Sequence, residues 1–142
     1  MDIRRISDTL SVSPQIEAAD VPEIVRLGFK SIVCNRPDGE QEGQPLFDDI
    51  AAAARAEGLE FVFQPVTSGM VTDDNARDFS AIVNGLPAPV LAYCRTGTRC
   101  TILWALGEAA AAKPIETIVT QAAGAGYNLS AMLDRLVAVS PE

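Results

Sequence analysis

The hydrophobic and polar positions of the 142-residue chain form short apolar runs that alternate with longer segments of helical spacing. Runs of four or five apolar or β-branched residues predict strands, and apolar positions recurring every three or four residues predict helices. The predicted strands are residues 9–13, 30–34, 59–63 and 89–93. The first three predicted helices cover residues 16–27, 45–57 and, after a cap at 72, the stretch to about 84. A longer helical region begins at 101. It is interrupted near 113–114 and again at 124–126, and its last piece covers 129–139.

This alternation predicts a single-domain α/β fold with a mostly parallel sheet covered by helices on both faces. The length suits one domain spanning residues 1–142, and we find no repeat and no linker that would divide the chain. Ligands of such sheets bind at the carboxyl ends of the strands. Two segments follow predicted strands at that edge: the loop that begins with Cys94, and the turn-rich segment 35–43.

The cysteine loop, Cys94-Arg95-Thr96-Gly97-Thr98-Arg99, lies between a predicted strand and a predicted helix. A chain that turns in this way aims backbone N–H groups and the helix dipole at the space above the sulfur. The two arginines add positive charge, which favours thiolate over thiol and binds a dianionic substrate. Although a free cysteine often packs as a small apolar residue, this combination predicts an anion site with Cys94 and Arg99 as catalytic residues. The expected substrate-binding residues of the loop are Arg95, Thr96, Gly97 and Thr98.

Composition limits the partners of this site. A net charge of −8 without a basic cluster argues against nucleic acid and against an anionic membrane surface. The amino terminus lacks the apolar core of a signal peptide, and no stretch approaches the roughly 18 apolar residues of a membrane span. Three cysteines suit a reducing compartment. We therefore expect a cytoplasmic protein that acts on a small anionic substrate, with its oligomeric state left open.

The chain contains no histidine, which excludes whole classes of chemistry. A Ser-His-Asp triad, a Cys-His dyad and a histidine-ligated metal are all impossible. Three scattered cysteines and a carboxylate do not form an ordinary four-ligand zinc site. We expect no metal and no cofactor, so activation of Cys94 must come from dipoles and arginines.

Several spaced motifs resemble those of one known family. They are Asn35-Arg36-Pro37-Asp38-Gly39-Glu40, then Gly43-Gln44-Pro45, then Gln64-Pro65-Val66, and then Tyr93 followed by the cysteine loop and Trp104. In this order they resemble the phosphatase-like domain of the beta-lactamase-hydrolase-like proteins, over roughly residues 3 to 138. The resemblance implies a fold similar to that of dual-specificity and tyrosine phosphatases. The family is also described as one of sulfur transferases.

Two departures from the phosphatase pattern bear on the chemistry. Phosphatases of that class carry histidine before the nucleophile and five residues between cysteine and arginine, whereas here Tyr93 precedes Cys94 and only four residues separate it from Arg99. A loop of this shorter length is similar to that of rhodaneses, whose cysteine carries a persulfide. The position expected for the general-acid Asp, just after Gln64-Pro65-Val66, holds Thr67-Ser68-Gly69 and no carboxylate.

Three functional hypotheses remain open. The first is a hydrolase of phosphomonoester-like substrates that passes through a cysteinyl-phosphate, with Asp73 or Asp74 as the candidate general acid. The second is a rhodanese-like sulfurtransferase in which Cys94 accepts sulfane sulfur, a route that needs no general acid. The third is a catalytically inactive module that only binds an anion.

Further residues have candidate roles beside the loop. Arg36 and Asp38 would form a second wall of the pocket and contact the substrate, although a charged surface turn is the more ordinary explanation of such a segment. Cys100 stands where relatives of this type usually carry a hydroxyl residue, and it follows Cys94 closely enough for a disulfide. It would act as a redox partner that resolves oxidised Cys94.

Overall fold

The computed structural model describes residues 1–141 and places five strands in one sheet. The strands are β1 (Arg4–Arg5), β2 (Leu10–Ser13), β3 (Ser31–Cys34), β4 (Glu60–Phe63) and β5 (Val90–Tyr93). Their order across the sheet is β1-β2-β5-β3-β4, with β1 antiparallel to β2 and all other pairs parallel. The mostly parallel sheet predicted from the sequence is confirmed, and the strand that precedes Cys94 lies at its centre.

Helices connect the parallel strands and continue to the carboxyl terminus. They are α1 (Val21–Arg26), α2 (Phe47–Ala56), α3 (Asp73–Gly85), α4 (Thr98–Ala110), α5 (Ile115–Gly124) and α6 (Leu133–Val139). The predicted cap of α3 is present, because the Thr72 side chain accepts a hydrogen bond from the Asn75 backbone N–H and the Asn75 side chain accepts one from the Thr72 backbone. Within residues 1–141, no helix is both long and apolar enough to cross a membrane.

The sheet is buried on both faces, as a parallel sheet requires. Along β5, Val90 and Ala92 point into a core shared with α3 and α4, while Leu91 and Tyr93 point into a second core shared with α1 and α2. All four of these side chains are buried. The strand that ends just before Cys94 is therefore held from both sides, which fixes the position of the cysteine.

Several predicted boundaries need correction. Helix α4 begins at Thr98 rather than at 101, because Gly97 adopts φ +89° and turns the chain directly into the helix. The predicted helix 16–27 is a 3-10 turn, Ala18–Asp20, followed by the shorter α1. The predicted helical piece 129–139 is likewise a 3-10 turn, Ser130–Met132, followed by α6. Strand β1 is too short to show a periodic pattern and was not predicted.

Candidate active site

The cysteine loop occupies the carboxyl end of the central strand. The backbone N–H of Cys94 donates to the Ser13 carbonyl at 3.4 Å, which continues the pairing of β5 with β2. The chain then curls back, so that the Gly97 N–H lies 3.1 Å from the Cys94 sulfur. Because Gly97 has a left-handed conformation, the turn from strand to helix is completed within the loop.

The three cysteines lie in different electrostatic environments. Hydrogen bonding from the Cys100 thiol and from the backbone N–H groups of Cys100, Thr96 and Gly97 lowers the pKa of Cys94 to about 5, although burial opposes this shift. Burial and the neighbouring Cys94 raise the pKa of Cys100 well above its ordinary value, and burial raises the pKa of Cys34. At neutral pH, Cys94 is therefore the thiolate, while Cys34 and Cys100 remain protonated.

Arg99 lies in the first turn of α4 and is 7% exposed. Its Nη1 donates to the carbonyls of Asn35 at 3.3 Å and Val66 at 2.9 Å, and its Nη2 donates to Glu40 at 3.1 Å. The buried Nε has no hydrogen-bond partner. Nε is thus the one guanidinium nitrogen of Arg99 without a partner in the described part of the chain, and Arg99 is among the residues that line the cavity over Cys94.

Glu40 holds this arginine from the loop after β3. One oxygen, Oε1, accepts both from Arg99 and from Arg36 Nε, the latter at 2.9 Å. Burial raises the pKa of Glu40, but the hydrogen bonds from the two arginines outweigh it and keep the pKa below its ordinary value. Glu40 was not predicted as a site residue. Its sequence signals are its place in the loop at the same sheet edge as Cys94 and its position at the end of the motif Asn35-Arg36-Pro37-Asp38-Gly39-Glu40.

Arg36 does not form the expected second wall of the pocket. Its side chain is only 3% exposed, and its guanidinium is occupied by Glu40, Gln15 and Gln41. Arg36 is not among the residues that line the cavity over Cys94. Its observed contacts brace the 35–43 loop from within.

A cavity of about 310 Å³ lies over the cysteine loop. It contains five of the six loop residues predicted for the site and adds an apolar rim and a third arginine. Its lining is Ser68, Gly69, Val71, Cys94, Arg95, Thr96, Thr98, Arg99, Ile102, Met132 and Arg135. No carboxylate belongs to this lining, and within residues 1–141 no group of three or more Cys, Asp or Glu side chains is placed to hold a metal ion.

The acidic residues proposed from the sequence lie outside the cavity. Asp38 accepts a hydrogen bond at 3.0 Å from the first backbone N–H of α2, which is the role of a helix cap. Asp73 accepts at 2.9 Å from Arg135, and Asp74 pairs with Arg77 at 3.1 Å on an exposed face. The structure thus brings the loop residues together but does not bring any of these carboxylates to Cys94.

The fold is shared with phosphatases of known structure. The structure is similar to that of a candidate phosphatase from Neisseria meningitidis Z2491, with a TM-score of 0.89, 40% sequence identity, and coverage of 98% of this chain and 99% of that one. It is also similar in fold to the core catalytic domain of the PP-IP phosphatase SIW14 of S. cerevisiae, with a TM-score of 0.72, 13% identity, and coverage of 99% and 86% of the two chains.

The chain belongs to the family described as beta-lactamase hydrolase-like protein, phosphatase-like domain, whose model matches residues 2–111. A beta-lactamase hydrolase-like protein of Agrobacterium fabrum is 40% identical over 105 residues, which are 74% of this chain and 24% of that protein. The chain thus spans about a quarter of the length of the curated relatives it matches. The resemblance noted in the sequence is confirmed, and the chain is a domain of this phosphatase-like family.

Proposed function

We propose that this domain hydrolyses phosphomonoester-like substrates whose leaving group departs without protonation, with Cys94 as the nucleophile. The observation that carries the proposal is a cysteine of pKa about 5 in a cavity that is also lined by Arg99, whose Nε has no partner, and that contains no carboxylate. A thiolate supplies the nucleophile, and the Nε donor of Arg99 suits a phosphoryl oxyanion. The electrostatics therefore favour attack on an anion but supply no acid for the leaving group.

In the first step, the Cys94 thiolate attacks phosphorus, an S–P bond forms, and the P–O bond to the leaving group breaks. The leaving oxygen takes the electron pair and acquires its proton from water. Arg99 and the N–H groups of the cysteine loop stabilise the negative charge on the phosphoryl oxygens. In the second step, water attacks phosphorus, the S–P bond breaks, and phosphate and the Cys94 thiolate are released.

The lack of a carboxylate in the cavity lining supports one class of substrate over another. General acid catalysis contributes typically about 100-fold to 10,000-fold when the leaving group is a poor one. Without it, alkyl phosphates such as those of serine react slowly. Aryl phosphates and mixed anhydrides react faster, because their leaving oxygens are stable as anions.

The same observation supports a second candidate, sulfur transfer. Here Cys94 attacks the outer sulfur of a thiosulfate-like donor, the S–S bond of the donor breaks, and sulfite leaves with the electron pair. The product is a persulfide on Cys94, whose terminal sulfur then passes to a thiophilic acceptor such as cyanide. No step requires an acid, and the short spacing between Cys94 and Arg99 is similar to that in rhodaneses.

Two parallel assays separate these candidates. Purified protein is assayed for phosphate release from an aryl phosphate and for thiocyanate formation from thiosulfate and cyanide, and each reaction is also acid-quenched for intact mass. Hydrolysis predicts a phosphoryl adduct on Cys94, and sulfur transfer predicts the addition of one sulfur atom. Cys94→Ser abolishes either activity, while Cys34→Ser, at a buried cysteine of raised pKa, serves as the matched control. If neither reaction occurs but phosphate protects Cys94 from alkylation, the domain only binds anions.

A further inference from the structure

Three successive carbonyl groups of the cysteine loop, those of residues 95 to 97, accept hydrogen bonds from groups that do not line the cavity. The Arg95 carbonyl accepts from the Gln15 backbone N–H at 3.3 Å, and the Gly97 carbonyl accepts from a backbone N–H in the first turn of α4 at 3.0 Å. The Thr96 carbonyl instead accepts from a side chain, the hydroxyl of Tyr127, at 2.9 Å. The orientation of the Thr96–Gly97 peptide therefore depends on a side chain that a substitution can remove.

Both ends of that one peptide unit are engaged. Its carbonyl faces Tyr127, and its N–H, which belongs to Gly97, lies 3.1 Å from the Cys94 sulfur. In a planar trans peptide the C=O and N–H point in opposite directions, so fixing one end aims the other. We propose that Tyr127 is a positioning residue that, by holding the Thr96 carbonyl, keeps the Gly97 N–H directed at the Cys94 thiolate.

Tyr127 is built rigidly into the fold. It follows α5, is 9% exposed, and belongs to the core that also contains Cys94. The Arg4 guanidinium lies 5.4 Å from the centre of its ring and also binds the Ala125 carbonyl at 3.1 Å. Burial raises the pKa of Tyr127, so its hydroxyl stays protonated and remains a donor. The hydroxyl thus has a fixed position from which to hold the loop.

The glycine at position 97 is also explained by the close approach of Tyr127 to the cysteine loop. A side chain at this position would clash with the Tyr127 hydroxyl oxygen, and φ +89° is itself a conformation that suits glycine. The close approach of tyrosine and loop therefore requires glycine here. Tyr127 does not line the cavity over Cys94, so its effect on the reaction passes through the peptide that it holds.

Removal of the hydroxyl leaves the peptide free to rotate. Rotation would withdraw an N–H donor from the thiolate and bring a carbonyl dipole nearer to it, and both changes favour the neutral thiol. The inference rests on Cys94 being the nucleophile of the proposed function, and it holds for phosphoryl and sulfur transfer alike. Removal of the Tyr127 hydroxyl is therefore expected to change the pKa of the Cys94 thiol, and not substrate binding alone.

The test compares Tyr127→Phe with Tyr93→Phe by measuring the pKa of Cys94 from the pH dependence of its alkylation by iodoacetamide. The Tyr93 hydroxyl is also buried, but its polar neighbour is Cys34 rather than the cysteine loop, and the ring packs in the core on the opposite face of the sheet. We expect Tyr127→Phe to raise the pKa of Cys94 by about one unit, the scale of one hydrogen bond to a charged group. We expect Tyr93→Phe to leave it unchanged.

A measurement on the unmodified protein makes the test independent of how well the variant folds. The amide proton shift of Gly97, followed by NMR, should titrate together with Cys94. An unshifted pKa in folded Tyr127→Phe, an equal shift in both variants, or a Gly97 amide that does not respond to the titration would each overturn the inference. A Cys94 that already has an ordinary thiol pKa in the unmodified protein would instead overturn the proposed function.

Discussion

Glu40 and Arg99 form an ion pair of 3.1 Å that joins the loop after β3 to the first turn of α4. The Glu40 side chain is 21% exposed, and the same carboxylate oxygen also pairs with Arg36. This contact uses Nη2 of Arg99, while Nε has no hydrogen-bond partner in the protein. Glu40 thereby determines which donors of Arg99 remain for an oxyanion.

Replacement of Glu40 by Gln should weaken both the site and the fold. Loss of the negative charge leaves two nearly buried arginines without a counter-charge, so we expect the free energy of unfolding to fall by about 2 kcal/mol. Turnover should fall on the order of tenfold because Arg99 is less firmly oriented. Denaturant titration and steady-state kinetics measure the two effects. Glu42→Gln, an exposed neighbour in the same loop, is the control, and an equal loss in both variants would show a nonspecific charge effect.

Arg99→Lys should reduce turnover on the order of 100-fold, the scale for losing one well-placed oxyanion donor. An ammonium group cannot make the planar two-point contact, and it also loses the Nη1 bonds to the Asn35 and Val66 carbonyls. Arg95→Lys, on an exposed side chain of the same loop, should be tolerated better. Unchanged turnover in Arg99→Lys would show that Arg99 is only a structural brace.

Because the carboxylates lie outside the cavity, turnover is expected to depend strongly on the leaving group of the substrate. Across a series of aryl phosphates, turnover should fall steeply as the pKa of the phenol rises, because no acid assists its departure. Asp73→Asn and Asp74→Asn should change kcat by less than about twofold, since neither residue lies at the cavity over Cys94. A large loss in either variant that appears only with poor leaving groups would identify that residue as the general acid.

Oxidation should link Cys94 to Cys100. Peroxide converts the Cys94 thiolate to a sulfenic acid, and attack by the Cys100 thiol then releases water and forms a disulfide. The Cys100 thiol lies beside the Cys94 thiolate in the reduced protein and helps to lower the pKa of Cys94. Tryptic mapping after peroxide treatment should show this linkage, with activity restored by dithiothreitol and direct overoxidation of Cys94 in Cys100→Ser. Progression of Cys94 to the sulfinic form while Cys100 stays a free thiol would exclude the disulfide.

The sequence was sufficient for features that depend on neighbouring residues. The strand, the glycine turn and the helix around Cys94 are contiguous, so the loop and the placement of Arg99 beside it could be predicted. The start of α4 was placed too late, because the first helical residues are polar and carry no apolar periodicity. The central position of β5 is a property of strand order, which the one-dimensional pattern does not contain.

Side-chain contacts between residues far apart in the sequence could not be predicted from the local pattern. Tyr127 reaches the Thr96 carbonyl from the connection after α5, across 31 positions of sequence. Arg36 has the residue type and sheet edge expected of a substrate contact, but its partners turn it inward. Arg36 and Arg99 both pair with Glu40, so which of them lines the cavity depends on their other hydrogen-bond partners. That choice is decided by side-chain packing.

The most direct test of the account is the pH dependence of Cys94 alkylation in the native protein, followed by peptide mapping of all three cysteines. The thiolate is the reactive species, so the rate should be constant at neutral pH and fall as the pH drops through a midpoint of about 5. Cys94 should be labelled well before Cys34 and Cys100. A midpoint near the ordinary thiol value of about 8.5, or faster labelling of Cys34, would contradict the assignment of Cys94 as an activated nucleophile.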